Sequence, residues 1–228
     1  LRIGCNTTND PFDSALETAT RAEPEELEAS GTLDRFALFD SKDDLHLSPA
    51  LADRPLVTRP QSPFHILPAD EVQLFVSSPL WARIELGPSR QVLREFPIYR
   101  PPDTWFGPST LTGELCYASR THCRLKFDDV PIRPHRAVTP VLIRNLYNTP
   151  LRVERLSVPV PHLSIFSGSS GHLWTQAITI TRREEKQGLA QVEIEKGPPS
   201  ESPDAQLITG PRQESRDNLL VRAFSGIL

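Results

Sequence analysis

The chain has 228 residues, 38% of them hydrophobic and 24% charged, and a net charge of −4. That balance excludes a disordered chain, and no apolar run approaches the ~18 residues a membrane-spanning helix needs. Proline is the outlier, at 23 against 11 glycines; each proline inside a helix costs about 3 kcal/mol, so long helices are excluded as well.

Residues 1–31 read as an acidic arm, partly flexible, with one short helix opening at Pro24 and Glu25. Residues 32–228 read as a β-sandwich domain. Residues 33–39 predict a strand, with the turn Ser41-Lys42-Asp43-Asp44 after it. Pro49, Pro55, Pro60, Pro63 and Pro68 predict extended chain crossing a surface. From residue 71 the period is two. Val72, Leu74 and Val76 alternate with Gln73, Phe75 and Ser77. Ala82, Ile84 and Leu86 then alternate with Trp81, Arg83 and Glu85, which predicts half-buried strands with the aliphatic residues as one face. Gly87-Pro88-Ser89 predicts a turn, and residues 92–99 a strand held at an edge or bulge by Pro97.

Residues 115–127 form one long β-prone run, with Tyr117, Thr121, Cys123, Leu125 and Phe127 on one parity and Arg120, His122, Arg124 and Lys126 on the other. Residues 138–145 predict a strand and residues 147–150 a turn. The apolar parity switches after Val153, which predicts a bulge or a crossing between sheets. Residues 162–166, the turn 168–171, and a hairpin of 173–182 with 189–196 follow. Ala190, Val192 and Ile194 face inward in that hairpin. Residues 207–208 and 219–224 close the pattern. Short strands with frequent turns and at most one short helix predict an all-β antiparallel β-sandwich, immunoglobulin-like or jelly-roll-like. One sandwich or two packed ones both fit, with the sub-boundary at residues 129–134. No strand-helix alternation occurs, so a doubly wound nucleotide fold is excluded.

Charge is segregated along the chain. Residues 1–89 hold 7 Lys and Arg against 15 Asp and Glu, and residues 90–155 hold 11 against 6. The two segments either attract each other or offer a basic surface to an anionic partner. Two segments in the basic middle are candidates for binding. Arg100, Asp103 and Trp105 lie on a proline-stiffened loop, where the ring and the ions form a ligand platform or the aromatics simply plug a corner of the sandwich. Arg133, His135 and Arg136 lie on extended chain between prolines, where forked donors suit a carboxylate or phosphate, or pair with the acidic half.

Other chemistry is poorly supported. Cys116, His122, Cys123 and His135 have the spacing C-x5-H-C-x11-H, which fits no common zinc pattern. Ser169, Ser170 and His172 lack the strand-to-helix elbow of a serine nucleophile. No phosphate-cradling glycine loop is present. No catalytic residue, metal or cofactor is therefore expected, and the protein is read as a non-catalytic binding or protein-interaction module. The alternative is a small-molecule or anion receptor, and a cryptic hydrolase or metal enzyme ranks below both. A protein partner is expected. Nucleic acid is not, because the basic excess is local, and neither is direct membrane insertion. Three cysteines make no disulfide framework and no leader pattern opens the chain, so the cytoplasm is the expected compartment.

The runs PPDTWFGP, GELCYASRT, HRAVTPVLIRN, LRVERLSVPVPHLSIF and LWT resemble an uncharacterised archaeal and bacterial family, domain of unknown function four-three-two. The resemblance spans about residues 55–225. It implies no activity and no catalytic residue. It implies an accessory or regulatory role beside a small mechanosensitive membrane channel.

Overall fold

The structure, a computed structural model, describes residues 2–4, 33–36, 44–109, 111–183, 189–214 and 219–224. The strands are β1 (Arg2–Gly4), β2 (Leu33–Arg35), β3 (Leu45–Ala50), β4 (Leu56–Thr58), β5 (Phe64–Ile66), β6 (Asp70–Pro79) and β7 (Trp81–Leu86). Next come β8 (Gln91–Pro97), β9 (Asp103–Phe106), β10 (Glu114–Ala118), β11 (Arg136–Asn145), β12 (Leu151–Val153) and β13 (Leu156–Val158). The last are β14 (Ile165–Ser167), β15 (Leu173–Trp174), β16 (Ile178–Arg182), β17 (Leu189–Ile194), β18 (Gln206–Thr209) and β19 (Leu219–Arg222). The only helical pieces among the described residues are two single 3-10 turns, Phe127–Asp129 and Val160–His162. The fold is all-β, and no helix among the described residues is long and apolar enough to cross a membrane. The short helix expected at Pro24, residues 41–43 of the expected turn Ser41-Lys42-Asp43-Asp44, and the connection 184–188 between the two hairpin strands lie outside the described residues.

The largest sheet is organised by β11. One edge pairs antiparallel with β6 over ten residues, from Arg136 opposite Pro79 to Asn145 opposite Asp70. The other edge pairs in parallel, first with β15 and then with β16. From β15 the sheet extends to β14 and β18, and from β16 to β17 and β19. A second sheet runs β13-β4-β10-β9 and a third β3-β7-β8, while β12 pairs with β5 and β1 with β2. Most pairings are antiparallel; β4 with β10 joins the two β11 contacts as parallel. Alternation in a sequence reports which face is apolar and carries no information about strand direction. The β6–β11 ladder joins residues on both sides of 129–134.

Both faces of the large sheet are covered. Leu74, Val76, Val141, Ile143, Ile178 and Ile180 point into the main core, where Leu56, Leu151, Val153, Leu156 and Val158 meet them. Phe75, Val138, Phe166 and Trp174 point the other way, into a smaller cluster with Val130 and Ala205. Six of the ten β11 residues are thus hydrophobic or proline, as a strand buried on two sides requires. Truncating a buried Leu or Ile of this core to Ala is expected to cost about 2–5 kcal/mol.

Three local expectations are corrected. The proline-rich stretch is not surface chain, since Ala50, Leu51, Ala52, Leu56 and Val57 are buried. Its prolines instead stand at or near the ends of β3, β4 and β5, where a missing N–H is tolerated. The run 115–127 is not one strand. It ends at Ala118, turns, and continues as isolated bridges from Cys123 to Pro60 and from Arg124 to Phe75. In β7 the inward parity is that of Trp81 and Glu85, while Ala82, Ile84 and Leu86 are only half-buried. The parity switch after Val153 is a crossing between sheets, because β12 pairs with β5 and β13 with β4.

Candidate functional site

Asp103, at the start of β9, accepts from Arg54 at 3.1 Å and stands 3.6 Å from Arg100. All three are partly exposed, so the ion pairs contribute little, about 0–1 kcal/mol each. Trp105 is 41% exposed, and its indole N–H donates to the Ser109 carbonyl at 2.8 Å. The indole lies on Gly113, where a Cβ would approach it to 2.0 Å. The ring is therefore packed on its own hairpin. Phe106 is buried with Val57 and Cys116, under the Arg155 guanidinium at 5.2 Å.

Arg133 belongs to a different place. It lines an open cavity of about 230 Å³ together with Phe75, Ser77, Arg120, Thr121, His122, Arg124, Val130 and Pro131. The cavity lies on the face of the large sheet that carries Phe75. Backbone geometry builds it. The Arg124 N–H donates to the Phe75 carbonyl at 3.0 Å and the Phe75 N–H to the Arg124 carbonyl at 2.7 Å. The Cys123 N–H donates to the Arg59 carbonyl at 2.9 Å. Residues 120–124 are thus clipped along the edge of β6 that β11 leaves open. Arg120 stacks over Tyr99 at 5.0 Å. Among the described residues no carboxylate lines this cavity, and none pairs with Arg120 or Arg124.

Arg136, the first residue of β11, sits behind the cavity wall and is only 6% exposed. Its Nε donates to Ser77 Oγ at 2.7 Å, and one Nη donates to the Ser77 carbonyl and to Thr121 Oγ1 at 2.9 Å. Burial first, and Arg133 second, hold its pKa down to about 10. His135 is half-buried and lies outside the cavity lining; burial, then Arg136 and Arg133, lower its pKa. The second predicted segment therefore divides, with Arg133 on the cavity, Arg136 behind it and His135 aside. Arg100, Asp103 and Trp105 do not line this cavity. Sequence reasoning placed Arg120, His122 and Arg124 on one parity but did not select them. Only the tertiary clip on β6 brings them beside Arg133.

A second cavity, of about 210 Å³, is lined by Asp53, Arg54, Glu114, Ser157 and His162 among others. Burial raises the Glu114 pKa, with Arg222 opposing it. The Tyr117 hydroxyl donates to Asp53 at 3.1 Å, beneath the Arg54 guanidinium. His172, packed on Phe127 and Trp174, has its pKa lowered by burial.

Cys116 and Cys123 are buried free thiols. Burial raises Cys116 to about 12 and Cys123 to about 11. At pH 8 the Cys116 thiolate is then only about one part in ten thousand, and the thiolate is the nucleophile. Iodoacetamide at pH 8 is expected to leave both unlabelled in the native protein and to label both in urea, as read by peptide mass mapping. Rapid native labelling of either would contradict their burial. Among the described residues no group of three His, Cys, Asp or Glu side chains is placed to hold a metal.

Fold and surface together define an all-β protein with an open, arginine-lined cavity on its largest sheet. The chain belongs to the family described as Protein of unknown function (DUF432), whose model matches residues 14–228. No curated protein and no solved structure matches it.

Proposed function

We propose that this chain is a non-catalytic binding module whose basic cavity takes an anionic group of a small molecule. The observation that carries the reading is the convergence of Arg120, Arg124, Arg133 and His122 on one cavity with no lining carboxylate among the described residues. Guanidinium forks bind carboxylates and phosphates with two parallel hydrogen bonds. Phe75, Val130 and Pro131 give the same cavity an apolar wall for the rest of the ligand. At 100 times its dissociation constant a ligand raises stability by about 2.7 kcal/mol. Thermal unfolding with phosphate, sulfate, citrate and acetate at constant ionic strength is expected to show a rise in Tm for at least one anion. Arg124→Ala, in the cavity wall, is expected to abolish the rise, and the anion is recovered chemically unchanged. No response to any anion, or a response unaltered by Arg124→Ala, removes the proposal.

A protein partner is the second reading. It is favoured by Leu47, which is 74% exposed on β3, a strand that pairs only with β7 among the described residues. Leu47→Asp is then expected to abolish co-purification of the partner while sparing anion binding; retention of the partner by the variant counts against it.

A further inference from the structure

The anion's own chemistry is legible in the wall of the cavity. Arg136 is a buried cation whose described partners are all neutral oxygens: Ser77 Oγ, the Ser77 carbonyl, Thr121 Oγ1 and, at 3.4 Å, Ser119 Oγ. A buried charge without a counter-ion is costly, and it is tolerated where something else completes the electrostatics. Two of the residues that carry those oxygens, Ser77 and Thr121, also line the cavity. Ser77 Oγ spends a lone pair on Arg136 Nε at 2.7 Å, which turns its hydrogen away from the guanidinium. That hydroxyl makes no other described hydrogen bond, so its proton is left for an acceptor in the cavity. The site therefore offers forked donors from Arg120 and Arg124 and, in the same lining, a hydroxyl donor polarised by a buried cation.

Resting on the anion-binding reading above, we infer that the group taken by this cavity is a phosphoryl dianion, with Arg136 acting through Ser77 as its positioning residue. A carboxylate has two oxygens and one charge, and a single arginine fork satisfies both oxygens. It would leave the Ser77 proton unused and one of Arg120 and Arg124 without an anion among the described residues. A terminal phosphoryl group has three acceptor oxygens and close to two negative charges near neutral pH. Its third oxygen is an acceptor that a carboxylate lacks, and the free Ser77 proton suits it.

The test is calorimetric titration of the full chain with phenyl phosphate, benzoate and inorganic phosphate, at pH 7.5 and constant ionic strength. Phenyl phosphate is expected to bind at least about tenfold more tightly than benzoate. Ser77→Ala is expected to remove most of that preference while changing benzoate affinity by less than about twofold, because the loss of one hydrogen bond to a charged acceptor falls on phosphate alone. Arg136→Gln is expected to act like Ser77→Ala; if it does not fold, the Ser77 variant decides. Inorganic phosphate binding as well as phenyl phosphate points to free phosphate as the source, and weaker binding points to an ester; either supports the dianion. Benzoate binding as tightly as phenyl phosphate, with both lost in Arg124→Ala, overturns the inference and leaves the anion cavity standing. A preference for phenyl phosphate untouched in Ser77→Ala also overturns it. Failure of all three probes to bind overturns both readings.

Discussion

Asn145→Asp is expected to destabilise the fold by about 4 kcal/mol or more, the cost of an uncompensated buried charge facing like dipoles. Asn145 ends β11 and is fully buried. Its side-chain nitrogen donates to the carbonyls of Ile66 at 3.0 Å, Leu67 at 3.2 Å and Thr149 at 2.9 Å. A carboxylate oxygen there would face three carbonyl oxygens with no proton between them. Asn145→Leu keeps the size and leaves the acceptors. Two of them then lose their side-chain donor, while the Thr149 carbonyl keeps Arg182 Nη1 at 3.1 Å, so about 2–3 kcal/mol is expected. Urea unfolding of the two variants measures the difference. An aspartate variant as stable as the leucine variant would show that water reaches the site and that the amide is not the clasp. The clasp matters because it gathers three connections. It fixes the loop before β6, the turn between β11 and β12, and, through the Asn145 carbonyl accepting from Ala69 N–H at 2.8 Å, the register of the long ladder. Arg182 completes it from β16, stacked over Tyr147 at 4.7 Å.

This clasp also shows what a linear reading reaches. Tyr147-Asn148-Thr149-Pro150 is recognisable as a turn from its residue types, and the strand before it from its apolar run. The hairpin of β16 and β17 is legible for the same reason, since Ala190 and Val192 are buried and Glu193 is exposed. The crossing at Val153 is legible because a parity switch has few physical causes. The cavity is a different matter. Arg120, His122 and Arg124 alternate as a strand would, yet the chain there is held by two bridges and a turn. Their convergence with Arg133 depends on contacts that no local pattern encodes: Cys123 beside Pro60, and Arg124 beside Phe75. Arg136 was recognisable as a rigidly placed cation, but its burial behind Ser77 follows from the β6–β11 register, which pairs residues about sixty positions apart. Proline density carried a false message at residues 49–68 because a proline marks the end of a buried strand as readily as a solvated loop.

Glu95→Ala is expected to cost about 2–4 kcal/mol, more than an exposed ion pair is worth, because it leaves two half-buried guanidinium groups facing each other. Glu95, on β8, accepts from Arg83 Nε at 3.0 Å and from Arg212 Nη2. Arg83 lies opposite it across the β7–β8 ladder, and Glu85 on the same face of β7 stands 3.9 Å from Arg83 and 3.5 Å from Arg90. This network explains why the inward face of β7 carries Arg83 and Glu85 rather than Ile84 and Leu86. Alternation shows that one parity is aliphatic, but a polar parity can turn inward when each charge meets its opposite, with Trp81 beside it filling the core. The side chains of Arg83, Glu95 and Arg212 are 17%, 20% and 18% exposed, so solvent screens them only in part and most of the loss should persist in about 0.5 M salt. Glu95→Gln, neutral but still an acceptor, is expected to recover about half of it. Arg212 ties the far end of the chain into this network. Its Nε donates to the Leu51 carbonyl, and the Arg212 and Gln213 amides both donate to the Pro161 carbonyl at 2.9 and 3.0 Å. Glu95→Ala should therefore speed hydrogen exchange at those two amides before it affects the amides of the β6–β11 ladder. A loss below about 0.5 kcal/mol with exchange unchanged would mean that the network contributes no more than isolated surface pairs, and that Trp81 alone holds β7 against the body.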